Sequence, residues 1–357
     1  KWTGGRLIVR STQPGVPWRV GANGIRLIWA IGTCDADVVL EDCHATTRRI
    51  VEWAGLTVSS ATGVRLTIRD GCVFTHSVTT GEGVFNFDAD SQNSSLYIEP
   101  GVVMNGWSSI GNSNNLRNCI IDGLIFDSGL CDGSSTAFSA DVLRIKNSTF
   151  AINRVVNNTF VVRSLLTLLE FSENAVNILS SNSSDTITLL APPIGVSTVA
   201  CKCVGNKLTG TSPSQTLMIG AGVNATLTRS ANDATYGVFA SIDCSDNEIV
   251  QLNNAGGCLR VMIGTTNAVI EKNYIRRGVL RSGTNVHVVY LYGSGITMRN
   301  NYVMGQVLAF GPDQKICGNT IVDSNIAILL GGTQGGSQAI GGGNDYLITN
   351  NTFASYG

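Results

Sequence analysis

Apolar and polar residues recur along this chain of 357 residues in one short phrase. It reads apolar, two variable residues, a small polar residue, one variable residue, apolar. Leu-Arg-Ile-Lys-Asn-Ser-Thr-Phe at 143–150, Cys-Ser-Asp-Asn-Glu-Ile at 244–249, Ile-Glu-Lys-Asn-Tyr-Ile at 270–275 and Ile-Thr-Asn-Asn-Thr-Phe at 348–353 carry it. Aligned on the small polar residue or its substitute, the phrases anchor at Cys43, Gly71, Gly101, Gly123, Ser148, Asn174, Asn206, Asn247, Asn273, Asn301, Asn319 and Asn351. The segment around Gly123 also fits shifted by one. The eleven intervals from Cys43 to Asn351 average about 28 residues, and a repeat of this length governs the whole fold.

Three residues before each anchor stands an apolar residue such as Leu40, Ile68, Ile98, Ile120 or Ile145, and five before it usually another. That alternation is a strand with every second side chain inward. Two residues after the anchor the apolar position returns out of phase, at Val73, Val103, Ile125 or Phe150 for example. A sharp corner at the anchor carries both sets to the inside. Gly and Asn tolerate positive φ there, and Asn bonds local backbone. Asn stacked on Asn at the strand spacing of about 4.8 Å forms an amide ladder. A helical solenoid is excluded by the 41 glycines and the β-branched runs. A propeller needs longer blades. The predicted fold is all-β: a right-handed parallel β-helix of about twelve coils with Asn and Gly corners. Residues 1–30 carry no anchor and read as a lead-in or cap; residues 31–357 are the β-helix.

On these phrases the chain resembles the right-handed parallel β-helix, or pectate-lyase-like, superfamily, and the β-helical shafts of bacteriophage tailspikes and tail fibres. The resemblance covers roughly residues 30–357. It implies the fold more firmly than a function, because lyases, hydrolases, epimerases and adhesins share it.

Net charge of −1 with only 14% charged residues gives no basic groove for nucleic acid. No run reaches the 18 apolar residues of a membrane span. The chain opens on Lys1, as a processed or trimmed fragment would. Cys203 and Cys244 fall in the same inward slot of successive coils, so they read as buried thiols; only Cys34/Cys43 and Cys119/Cys131 suggest bonding. The strands at 161–169, 286–292 and 326–330 are apolar on both faces, which predicts burial against another subunit, and tailspike-like β-helices pack as homotrimers.

Arg144-Ile145-Lys146 matches a tripeptide of polygalacturonase-like hydrolases, but the partner motifs of that family are absent. The three histidines lack metal-ligand spacing, so no metal or cofactor is expected. Glycoside hydrolysis needs two carboxylates across the sugar bond, and Asp88, Asp90, Asp122 and Asp127 are the candidates. Trp107, Tyr290 and Tyr292 are candidates for sugar stacking, with Trp107 placed outward after a corner. The resemblance and the composition together point to a tailspike- or tail-fibre-like protein. It would bind bacterial surface polysaccharide on the virion tail with other virion tail proteins, with depolymerisation of that glycan as the further expectation. The alternatives are a secreted polysaccharide lyase, hydrolase or epimerase, and a purely structural adhesin rod.

Overall fold

The computed structural model describes residues 5–10, 18–19, 26–33, 37–57, 64–76, 83–87, 94–107, 109–112, 116–128, 136–152, 160–179, 186–193, 195–211, 213, 215–220, 237–253, 256–262, 265–278, 287–324, 327–330 and 345–354. Among them every regular element is a β-strand. The chain divides into two compact units, Lys1–Leu165 and Leu166–Gly357.

In the first unit each coil lays strands into three parallel columns. The first column runs Arg6–Arg10, Asp37–Glu41, Arg65–Ile68, Ser94–Ile98, Leu116–Asp122 and Thr136–Lys146. The second runs Trp18–Arg19, His44–Thr47, Val73–His76, Val103–Asn105, Ile125–Asp127 and Thr149–Ile152. The third holds Arg26–Thr33, Arg49–Thr57, Gly83–Phe87 and Ser109–Asn112. The strands Arg6–Arg10, Trp18–Arg19 and Arg26–Thr33, which begin within the residues 1–30 expected as a lead-in or cap, pair in register with the next coil. Long all-parallel sheets of this kind are consistent with a parallel β-helix.

The second unit repeats the plan. Residues 168–172 pair with Ala200–Val204, followed by Ser241–Ser245, Ala268–Glu271, Thr297–Arg299, Lys315–Cys317 and Leu347–Thr349. After each corner come Ala175–Ile178, Lys207–Gly210, Glu248–Gln251, Tyr274–Arg277, Tyr302–Met304, Thr320–Val322 and Thr352–Ala354. Ile187–Leu190 through Ile328–Leu330 form the remaining column.

The alternation read from the sequence holds where it was strongest. Leu40, Leu66, Ile68, Leu96, Leu143, Ile145, Phe171, Cys203, Cys244, Ile270, Met298 and Ile316 are all buried. Side chains of the same slot meet down the stack, and each large one is worth about 1.5–3 kcal/mol of burial. Cys203 and Cys244 are registered partners with free, buried thiols. Cys43 and Cys119 form no disulfide either, while Cys34 and Cys131 lie outside the described residues.

Three corners correct the predicted alignment. The buried corner slot is held by Cys72, Val102 and Leu124, one residue after Gly71, Gly101 and Gly123. The glycines instead take positive φ, at 81°, 88° and 63°, the position filled elsewhere by Asp42, Asn147 or Lys272. The residues turned inward after these corners are therefore Phe74, Met104 and Phe126, and before Gly123 it is Ile121 rather than Ile120.

From Asn174 to Asn351 the corner slot is an amide ladder. Asn174, Asn206, Asn247, Asn273, Asn301 and Asn319 each donate Nδ2 to Oδ1 of the next, at 2.9–3.1 Å. The same Oδ1 also accepts the backbone N–H of the donor residue. From Asn206 on, each Nδ2 bonds a strand carbonyl of the coil before: Phe171, Cys203, Cys244, Ile270, Met298 and Ile316. Buried amides demand this satisfaction.

The doubly apolar strands divide. Tyr290 and Tyr292 are buried within the chain, in a cluster with Leu308 and Phe310, so this strand needs no partner subunit to cover it. Leu166, Leu329 and Leu330 are exposed.

Candidate functional site

The outer face of the first column in the first unit carries three parallel rows of side chains. Strand alternation sets them: residues two apart point the same way, and the parallel register stacks like on like. The middle row is Ile8, Val39, Thr67, Tyr97 and Ile120. One flanking row begins Arg6, Asp37 and Arg65; the Asp37 carboxylate accepts the Arg65 backbone N–H at 3.3 Å. The other flanking row is Arg10, Glu41, Arg69, Glu99, Asp122 and Lys146. A mostly apolar midline therefore runs between one charged rail and a row that passes from charged (Arg6, Asp37, Arg65) to neutral polar (Ser95, Asn118). The groove they form has a volume of about 370 Å³, lined by Arg6, Arg65, Arg69, Tyr97, Glu99 and Asp122 among others.

Glu41 fixes one rail. It is 6% exposed, accepts Arg10 Nε at 3.0 Å and is also bonded by the Arg10 and Arg69 terminal nitrogens. The Arg10 hydrogen bond, with Arg69 behind it, holds the Glu41 carboxyl below the usual carboxylate range against the opposing effect of burial. Arg69 also reaches Glu99, at 3.9 Å. Asp122 accepts Asn147 Nδ2 at 2.7 Å and lies 3.7 Å from Lys146 Nζ. Signs alternate along the rail except at one step. Glu99 and Asp122 follow the registered pair Ile98–Ile121, so two acidic residues hold the same position on neighbouring coils, with Arg69 and Lys146 at either side. At the midline the Arg65 guanidinium lies 5.2 Å from the Tyr97 ring centre, within cation–π reach.

Among the described residues expected from sequence, Asp122 alone lines this groove. Asp127 closes the strand Ile125–Asp127 in the second column, so the corner at Gly123 separates it from Asp122. Asp88 and Asp90 lie outside the described residues. Trp107 is fully buried rather than outward; its Nε1 donates to the Arg48 carbonyl at 3.0 Å and its ring packs 5.3 Å from His76. Burial lowers the His76 pKa. Tyr290 and Tyr292 are stacked at 6.1 Å, with Arg260 4.9 Å from the Tyr290 ring centre and Phe310 against Tyr292. Burial raises both phenols, Tyr292 to about 12. These tyrosines pack and present no open face. Among the described residues no cluster of His, Cys, Asp and Glu has metal-binding composition, and no helix is long and apolar enough to cross a membrane.

The sequence concealed the groove by a single residue. Anchoring at Gly123 assigned Ile120 inward, whereas Ile121 is inward and Ile120 faces the groove. With that correction Glu41, Arg69, Glu99 and Asp122 fall on one line, a signal present in the sequence but visible only in the right register. No protein-family model, no curated protein and no solved structure matches this chain.

Proposed function

We propose that this chain is a glycan-engaging protein of the bacteriophage tailspike or tail-fibre kind. In this reading it is a right-handed β-helix of about twelve coils, related to the pectate-lyase-like superfamily. It binds bacterial surface polysaccharide along the groove of the first unit, as a homotrimer on the virion tail beside other tail proteins. The observation that carries the reading is the mostly apolar midline centred on Tyr97, flanked by a charged rail on one side and by charged and neutral polar residues on the other. Sugar rings have that same division, with C–H faces that pack on apolar and aromatic surface and hydroxyls that take hydrogen bonds from charged groups.

The carboxylate step in the rail favours cleavage over adhesion alone. Retaining glycoside hydrolysis uses two neighbouring carboxyl groups, and Glu99 and Asp122 hold the same position on adjacent coils, each following the registered pair Ile98–Ile121. One protonates the leaving oxygen while the other attacks the anomeric carbon; water then releases the sugar.

The test is binding of the purified protein to a panel of bacterial surface polysaccharides, followed by sizing of the chains. Tyr97→Ala should weaken binding about tenfold. Glu99→Gln and Asp122→Asn should stop chain shortening while leaving binding nearly intact. Absence of binding to every glycan, or equal binding by Tyr97→Ala, overturns the groove assignment. Binding with unshortened chains leaves a lectin-like role and removes the catalytic one.

A further inference from the structure

Arg260 is a cation with no carboxylate beside it. It stands between Leu259 and Val261, whose side chains are fully buried, so its own points to the outer face of the second unit. Other arginines of this unit are paired: Arg276 lies 3.8 Å from Glu248, and Arg299 bonds Glu271. Arg260 is half-buried and makes no ion pair among the described residues. Its neighbours are rings. The guanidinium carbon lies 4.9 Å from the Tyr290 ring centre and 5.9 Å from that of Tyr292, and Phe310 stacks on Tyr292 at 5.1 Å. Arg277, at the end of the strand Tyr274–Arg277, adds a second positive charge near the Tyr290 phenol.

Two polar groups of this cluster have no hydrogen-bond partner in the chain. They are the Arg260 Nε–H and the Tyr292 hydroxyl, both buried, with Tyr292 only 4% exposed. Buried polar groups are otherwise bonded as a rule. Contact between a ring and the face of a guanidinium leaves the in-plane N–H donors unused. Donors in a positive field call for an acceptor with negative charge. A sugar hydroxyl would satisfy the bonds and leave the charge unanswered, and a cation would be repelled.

We infer that Arg260 and the Tyr292 hydroxyl form an anion site, on strands other than those of the groove, that takes an oxyanion group such as sulfate or a carboxylate. Both offer the paired oxygens that a guanidinium fork binds, and burial of the surrounding rings limits screening of the contact by salt. The group has two sources, a free inorganic oxyanion and an acidic sugar, and experiment separates them.

The full chain is dialysed to equilibrium against labelled sulfate or labelled glucuronate at fixed ionic strength, with glucuronate and glucose as competitors of sulfate. Arg260→Gln should weaken sulfate about tenfold, while Arg65→Gln in the groove leaves it bound. Tyr292→Phe preserves the ring stack and removes only the hydroxyl. It should weaken sulfate about fivefold, with no loss of thermal midpoint in anion-free buffer, because that hydroxyl has no partner in the chain. Tyr292→Phe therefore decides the matter even where Arg260→Gln fails to fold. Displacement of sulfate by glucuronate and not by glucose supports the site and assigns it to an acidic sugar. Sulfate retained against glucuronate supports it and assigns it to an inorganic oxyanion. No binding of either anion at millimolar concentration overturns the inference. So does binding that Tyr292→Phe leaves unchanged, or binding that Arg65→Gln abolishes, which assigns the anion to the groove.

Discussion

At the scale of the residue, the corner asparagines are the most demanding positions in the chain. Asn273 donates twice to Asn301, donates to the Cys244 carbonyl at 2.8 Å, and accepts from Asn247. It is 2% exposed. Replacement by Leu keeps the approximate volume but orphans the Asn247 donors and the Cys244 carbonyl at once. Each unsatisfied buried group costs about 1–3 kcal/mol, so Asn273→Leu should destabilise by about 3 kcal/mol or more in denaturant melts. An unchanged midpoint would mean that water replaces the ladder. The sequence showed the asparagines and their stacking; it did not show that each amide also ties down a strand carbonyl of the coil before.

At the scale of the element, the corner decides register. Its left-handed residue must stand immediately before the buried slot. Where that residue is Asp42, Asn147 or Lys272, the small polar anchor follows and the sequence phrase is legible. At Gly71, Gly101 and Gly123 glycine itself imitates the anchor and the alignment slips by one, whereas after Gly205 and Gly318 the asparagine keeps it. The slip exchanges inward and outward residues after these three corners, and before Gly123 it also misplaced Ile120 and with it the groove. Gly123 has φ of 63°, and a Cβ there would stand 2.8 Å from the Pro100 backbone of the neighbouring coil. Gly123→Ala should therefore cost about 1–3 kcal/mol, read as a lower thermal midpoint. A neutral outcome would show that the corner relaxes freely.

At the scale of the whole molecule, the apolar residues left in water set the expectation of assembly. Leu166 and Leu329 are 46% and 37% exposed. The tyrosines at 290 and 292 no longer contribute to that argument, since the chain covers them itself. A homotrimer that buries the two leucines should sediment as a single species at micromolar concentration. Leu166→Glu together with Leu329→Glu should then dissociate it with β content intact. A wild-type protein that sediments as a monomer would remove the trimer and favour a single-chain secreted enzyme.

The sequence alone determined the repeat, the inward slots before most corners and the asparagine corners, because these follow from local periodicity and from which residues tolerate a left-handed backbone; at Gly71, Gly101 and Gly123 it set the corner one residue early. It also placed Cys203 over Cys244. It did not determine the outer face. Trp107 follows a corner, as an outward residue would, yet the structure buries it against His76 and gives its indole N–H to Arg48. The rail from Arg10 to Lys146 draws its members from six strands spread over 137 residues. No local pattern joins them. Only the parallel stacking of coils brings Glu99 beside Asp122 and Arg65 over Tyr97, since which outward residues become neighbours depends on the length of each corner.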